Sequence, residues 1–288
     1  MKLNVQHSTT YQYDEKVAFT PHKILLRPRE DPHIRVCEFH IQTFPQSDLK
    51  WSRDAFENSI ATAYFTGESR QLLIQAGMTV ELLQDNPFDF IIEPYAATHP
   101  FQYNGDELEA LQGYLSNTGM ECASLDAWIQ STMTTLPDQT LQLLTTLNRA
   151  IYEKIQYRRR EESGVQSPDE TLRLNSGSCR DLASLFMAAC HSLGLATRYV
   201  SGYLYAPEEP GKSSNRAAGS MHAWAEVYLP GAGWKGFDPT NGVLATNFFI
   251  PVAVSTRPAW TSPIQGAYSK SHPVDSQLIA EVSVTRLE

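Results

Sequence analysis

Residues 221–229 alternate without a break, and this pattern restricts the fold more than any other feature of the chain. His222, Trp224, Glu226 and Tyr228 fall on one side, and Met221, Ala223, Ala225, Val227 and Leu229 on the other. That is the two-residue period of a strand. Pro230-Gly231-Ala232-Gly233 supplies turn residues, and 234–238 returns as a partner strand, so an antiparallel hairpin is expected. Upstream, Leu182, Leu185, Phe186, Ala189 and Leu193 recur at helical steps, which predicts a helix from Cys179. Asn175-Ser176-Gly177-Ser178 caps its start, and Gly194 stands where helices end. Residues 197–205 alternate as a further strand. Residues 206–220, rich in Pro, Gly and Ser, read as a polar loop.

The first hundred residues read as β. Residues 5–13, 36–44, 59–66, 72–76 and 78–83 are short strand candidates separated by turn residues such as Gly67 and Gly77. Such spacing suggests a sandwich or barrel. Near 94–105 the texture changes to prolines and aromatics, and helical patterns follow over 124–135, 139–155 and a short turn from Pro168. The expected division is therefore a β-sandwich over residues 1–98 and an α+β core over 99–288 with a C-terminal β extension.

Of 288 residues, 42% are hydrophobic, enough for two domains, and the net charge is −9 with a pI near 5.4. An acidic chain repels phosphate backbones, so no nucleic-acid partner is expected. Arg158-Arg159-Arg160 is followed at once by Glu161 and Glu162 and reads as a solvated stretch. With no apolar leader and no membrane-length apolar run, a cytoplasmic protein with no membrane partner is the expectation. Gly211-Lys212-Ser213 imitates the end of a phosphate loop, but a strand follows it where that motif needs a helix.

Cys37, Cys122, Cys179 and Cys190 form no CxxC pair and have no zinc-ligand spacing, so no metal or cofactor is expected. Cys179 and Cys190 lie eleven positions apart on one helix, roughly 16 Å, too far for a disulfide. Cys179 alone occupies a helix N-terminus, where free N–H groups and the dipole favour a thiolate. It reads either as a nucleophile, its own N–H helping to hold an oxyanion, or as a buried helix cysteine. His222 is a general base or a packed histidine. Asp238, across the hairpin, can orient it only if paired opposite Trp224, which sets it diagonal to His222 at about 5–7 Å between Cα atoms.

These residues lie in four segments that resemble the transglutaminase-like superfamily. They are Ser176-Gly177-Ser178-Cys179-Arg180-Asp181, Val200-Ser201-Gly202-Tyr203-Leu204, Met221-His222-Ala223-Trp224-Ala225-Glu226-Val227, and Gly233-Trp234-Lys235-Gly236-Phe237-Asp238-Pro239-Thr240. His7-Ser8-Thr9-Thr10-Tyr11-Gln12-Tyr13 and Leu25-Leu26-Arg27-Pro28-Arg29 resemble the β-domain that precedes the core in bacterial members. The resemblance implies a papain-like transglutaminase core preceded by an antiparallel β-sandwich, as in bacterial transglutaminase-like cysteine proteases. It implies Cys179 as nucleophile, His222 as base and Asp238 as orienter. Where relatives carry a Gly-Arg-Asp-Tyr-like stretch, this chain has Ser255-Thr256-Arg257-Pro258-Ala259-Trp260 and keeps only the Arg.

Tyr157, where some relatives have an aromatic, is an oxyanion donor or a packed side chain. Asp181 supports the helix start, or binds a substrate amine or Arg180. Trp224 walls the site or only packs. The implied chemistry is acyl transfer from a peptide or amide substrate through a thioester, with protease or amidase activity favoured. The alternatives are a protein-glutamine transglutaminase, or a non-catalytic binding module on the same fold.

Overall fold

The computed structural model describes residues 1–83, 86–116, 122–133, 135–207 and 221–287. Most of the 206–220 loop, including Gly211-Lys212-Ser213, lies outside them. Strands β1 (Lys2–Phe19), β2 (His22–Ile24), β3 (Ile34–Phe44), β4 (Ser47–Arg53), β5 (Ser59–Phe65) and β6 (Glu68–Leu82) come first. Helices α1 (Gly105–Leu115), α2 (Leu125–Thr132) and α3 (Thr140–Lys154) follow. Then come β7 (Gln156–Tyr157), α4 (Pro168–Leu174), β8 (Ser176–Gly177) and α5 (Cys179–Ser192). The chain continues through β9 (Thr197–Leu204), β10 (His222–Leu229), β11 (Gly233–Asp238), β12 (Val243–Leu244) and β13 (Phe249–Ser255). It ends with β14 (Ile264–Gln265), β15 (Tyr268–Ser269) and β16 (Ser276–Leu287).

Two antiparallel sheets build the sandwich. In one, β1 is flanked by β6, which also pairs with β3, and on its other edge by β15 and β16; the other runs β14-β2-β5-β4. Alternate residues point inward: Leu3, Val5, Leu72, Ile74, Met78 and Val80 are buried in a core that β5 closes with Ala61 and Ala63. The C-terminal strands were expected to extend the catalytic core, but they complete this sandwich instead. The long β1 has two hydrogen-bonding edges; β6 satisfies one and β16, paired with it from Lys2↔Leu287 to Tyr13↔Ser276, satisfies the other.

Gly77 also departs from expectation. It separates no strands, because β6 runs straight through it. A Cβ there would lie 2.2 Å from the His40 ring on β3, so the glycine makes room for a cross-strand neighbour rather than for a turn. The alternation expected over 36–44 shifts at a bulge between Val36 and Glu38, which leaves Cys37 exposed while Phe39 stays half-buried.

The second unit packs helices on the antiparallel sheet β12-β11-β10-β9-β13. Ala223, Ala225, Val227 and Leu229, the small and apolar side of β10, share one core with α5. That helix is buried along nearly its whole length, which its apolar composition requires. Phe186 stacks on Phe237 with ring centroids 5.4 Å apart, which pins α5 to β11. The two units share a boundary: Tyr203, Ile250 and Val252 join the sandwich core, and the Tyr203 hydroxyl meets His7 Nδ1 at 3.1 Å.

Gly202 lies opposite His222 on β10 and Pro251 on β13. A Cβ there would sit 2.2 Å from the Ile250 carbonyl oxygen and 2.6 Å from the Trp224 ring. Backbone cannot yield cheaply, so Gly202→Ala is expected to lower stability by about 1–3 kcal/mol, read as a reduced urea midpoint at unchanged slope.

Candidate active site

The site forms where the N-terminus of α5 meets the start of β10 and the end of β11. Ser178 is the extended residue before the helix and Cys179 its first helical residue, as the sequence predicts. Asn175, in the left-handed region at φ 50°, ends α4 and turns the chain into the short β8. There Gln156 and Tyr157 pair in parallel with Ser176 and Gly177. Gly177 is tight: a Cβ would lie 2.8 Å from the Asp181 Cβ. Cys179 as a residue is buried, with 9% of its surface exposed.

The hairpin register is the one that serves His222. Ala225 pairs with Phe237, so one step on Asp238 comes opposite Trp224 and on the His222 side. Both side chains are fully buried, and His222 Nε2 meets Asp238 Oδ2 at 2.9 Å. Asp238 also accepts the Thr240 N–H on Oδ1 at 2.9 Å and the Asn241 side-chain amide on Oδ2 at 2.7 Å. Burial pulls the His222 pKa down, but the charge and hydrogen bond of Asp238, aided by Cys179, outweigh it and hold the ring's pKa above its ordinary value. Nδ1 is buried and makes no formed hydrogen bond, so it is the ring nitrogen left for the thiol. Together these groups can hold an imidazole in one tautomer, with its lone pair free for a neighbouring acid.

Of the two readings of Trp224, packing fits its burial: it is 1% exposed, its ring lies 6.2 Å from the His222 ring at 29°, and Phe249 braces it edge-on. Asp181 has no exposed surface, and its contacts are those of the first reading, support of the helix start. Its oxygens accept the Ser178 N–H and hydroxyl, the Gln166 N–H and the guanidinium of Arg160, all within 2.7–3.0 Å. Its cation is Arg160, not Arg180, which instead donates to the Arg160 and Glu162 carbonyls. Arg160 thus leaves the solvated stretch that the sequence suggested, while Arg159 and Glu161 remain on the surface. Tyr157 stays half-buried beside Gly177 and packs against the helical core.

The sequence reading missed Thr240 and Asn241. The signal was present: an Asp-Pro-Thr-Asn turn puts N–H and amide donors within two or three positions of the carboxylate. Among the described residues, no cluster of His, Cys, Asp or Glu is placed to hold a metal ion, and no helix is long and apolar enough to cross a membrane.

Comparison with known proteins agrees with this architecture. The model of the transglutaminase-like superfamily matches residues 126–239, and that of the bacterial transglutaminase-like N-terminal region matches residues 3–81. An uncharacterized Mycobacterium tuberculosis protein is 27% identical over 274 residues, covering 92% of this chain and 87% of its own. An uncharacterized Mycobacterium leprae protein is 23% identical over 303 residues, covering 98% of each. The crystal structure of a candidate cysteine protease from Cytophaga hutchinsonii shares the fold, with a TM-score of 0.73 at 17% identity over 100% of this chain and 92% of that one. The α5 start, the β10–β11 hairpin and the sandwich ahead of them fall within the two matched regions, and the chain belongs to the transglutaminase-like superfamily, with a bacterial transglutaminase-like N-terminal region before its core.

Proposed function

We propose that this protein is a cysteine-nucleophile acyl-transfer enzyme that cleaves peptide or amide bonds through a thioester, with water as the final acceptor. The observation that carries the reading is the buried His222–Asp238 pair, whose Nδ1 is left to the thiol of Cys179 at a helix N-terminus. In this reading His222 takes the thiol proton and the sulfur attacks the carbonyl carbon. The carbonyl electron pair moves to oxygen, which accepts from the Cys179 N–H at the start of α5. Collapse breaks the C–N bond as His222 returns its proton to the leaving amine. A water then gives its proton to His222 and attacks the thioester, which releases acid and thiol.

An amine in place of that water would make the protein a transglutaminase. Incubation with glutamine-bearing peptides and a labelled primary amine separates the two outcomes. Release of acid is expected to outpace amine incorporation; the reverse would overturn the hydrolase reading. The triad has a test of its own. Iodoacetamide is expected to alkylate Cys179 quickly well below the free-thiol pKa of about 8.5, and more slowly in His222→Ala.

A further inference from the structure

The turn after β11 does more than reverse the chain. Asp238, Thr240 and Asn241 lie within four residues, and Gly242 N–H closes the turn on the Asp238 carbonyl at 2.8 Å. Gly242, at φ +69°, lies so close over Tyr152 of α3 that a Cβ would sit 2.9 Å from its ring. Asn148, one turn earlier on α3, donates its amide to the Val243 carbonyl at 3.1 Å. The turn is therefore clamped to α3 from below, and its position is set independently of His222.

On this clamped turn, the Asn241 amide reaches Asp238 Oδ2 at 2.7 Å. That is the same oxygen that receives His222 Nε2 at 2.9 Å, while Oδ1 is held by the Thr240 N–H. A buried carboxylate with one fixed oxygen can still tilt about its outer bond. A second donor on Oδ2 removes that freedom and fixes the direction along which Oδ2 accepts from the ring. We propose that Asn241 is a positioning residue of the Cys179–His222–Asp238 triad: by locking the Asp238 oxygen that receives His222, it fixes the ring orientation that presents Nδ1 to the thiol. This rests on the triad reading above. Asn241 touches neither substrate nor sulfur and acts through Asp238.

The test follows alkylation of Cys179 by iodoacetamide across pH, with peptide mapping to separate it from Cys37 and Cys122. The parent, His222→Ala, Asn241→Ala and Asn241→Asp are compared, with thermal unfolding of each. Asn241→Ala is expected to slow alkylation near neutrality about threefold to tenfold, the scale of one ordinary hydrogen bond's net strength, since Asn241 acts on the thiol only through Asp238 and His222. Asn241→Asp is the decisive variant. Ionised, it sets a second carboxylate against Oδ2; protonated, it again offers an O–H donor. Its rate relative to the parent is therefore expected to rise as pH falls through the carboxylic acid range and to drop as pH rises. A merely structural role for the turn would give a ratio that does not vary with pH. If the parent reacts faster than His222→Ala but Asn241→Ala matches the parent, the role of Asn241 is overturned and the triad stands. A pH-independent Asn241→Asp ratio overturns it equally. If the parent is no faster than His222→Ala, the triad reading fails and this proposal falls with it.

Discussion

Replacing Asp238 with Asn is expected to lower turnover by about 10³–10⁴-fold, the scale set by the same change in a Ser-His-Asp triad. Everything around that carboxylate donates: His222 Nε2, the Thr240 N–H and the Asn241 amide. An asparagine has one accepting oxygen and one donating nitrogen. With its oxygen toward Thr240, its NH₂ confronts His222 and Asn241. The ring must then carry its proton on Nδ1, which leaves no lone pair for the thiol. With the oxygen toward His222, the NH₂ opposes a buried Thr240 N–H at a cost of about 1–3 kcal/mol. Stability carries its own signature. The His222 pKa is raised in the folded protein above the ordinary value of 6.5, so its contribution is fully present below about that pH and is lost as pH rises through the folded value. The stability deficit of Asp238→Asn is thus expected to be largest between the carboxylate range and about pH 6.5, and to shrink toward alkaline pH. Urea midpoints of parent and variant across pH measure this. A deficit that grows with pH would mean that burial, not Asp238, governs the base.

What could be read from the sequence was local. The cap at Ser178, the stripe of α5 and the 222–229 alternation each depend on neighbours a few positions apart, and all stand in the fold. The hairpin reading left the register open by one residue, because turn residues alone do not decide which partner Asp238 meets. The Ala225↔Phe237 pairing decides it. What escaped depends on distant partners. Gly77 looked like a break until His40 came to lie against it, and β16 looked like part of the core until β1 offered an open edge. Arg160 sat in a run of charges, and nothing within the run distinguished it from Arg159. Its partner Asp181 lies 21 positions away and is fully buried.

That pair carries the second large expectation. Asp181→Ala is expected to cost about 2–4 kcal/mol, because it leaves a mostly buried guanidinium with only the exposed Glu162 carboxylate, 3.7 Å away, as its counter-charge. Asp181 joins two segments at one carboxylate: the start of α5 through Ser178, and the 158–166 stretch through Arg160 near one end and the Gln166 N–H at the other. The Ser178 N–H is buried and the Gln166 N–H partly so, and both lose their acceptor in the variant. Arg160→Met in the Asp181→Ala background removes the stranded charge, so the double variant is expected to recover part of the loss. This non-additivity separates a buried ion pair from simple capping, for which an exposed cap loses only about 1 kcal/mol with no dependence on Arg160. Thermal or urea unfolding of the four proteins in the cycle measures it. The position of that anchor also bears on chemistry, because the stretch that Asp181 holds follows directly on Tyr157, which pairs with Gly177, two residues before Cys179. A chain that placed the same Cys, His and Asp without this buried anchor would leave the helix start free to fray, and a nucleophile at a fraying N-terminus loses both its alignment to His222 and the free N–H groups that an oxyanion needs.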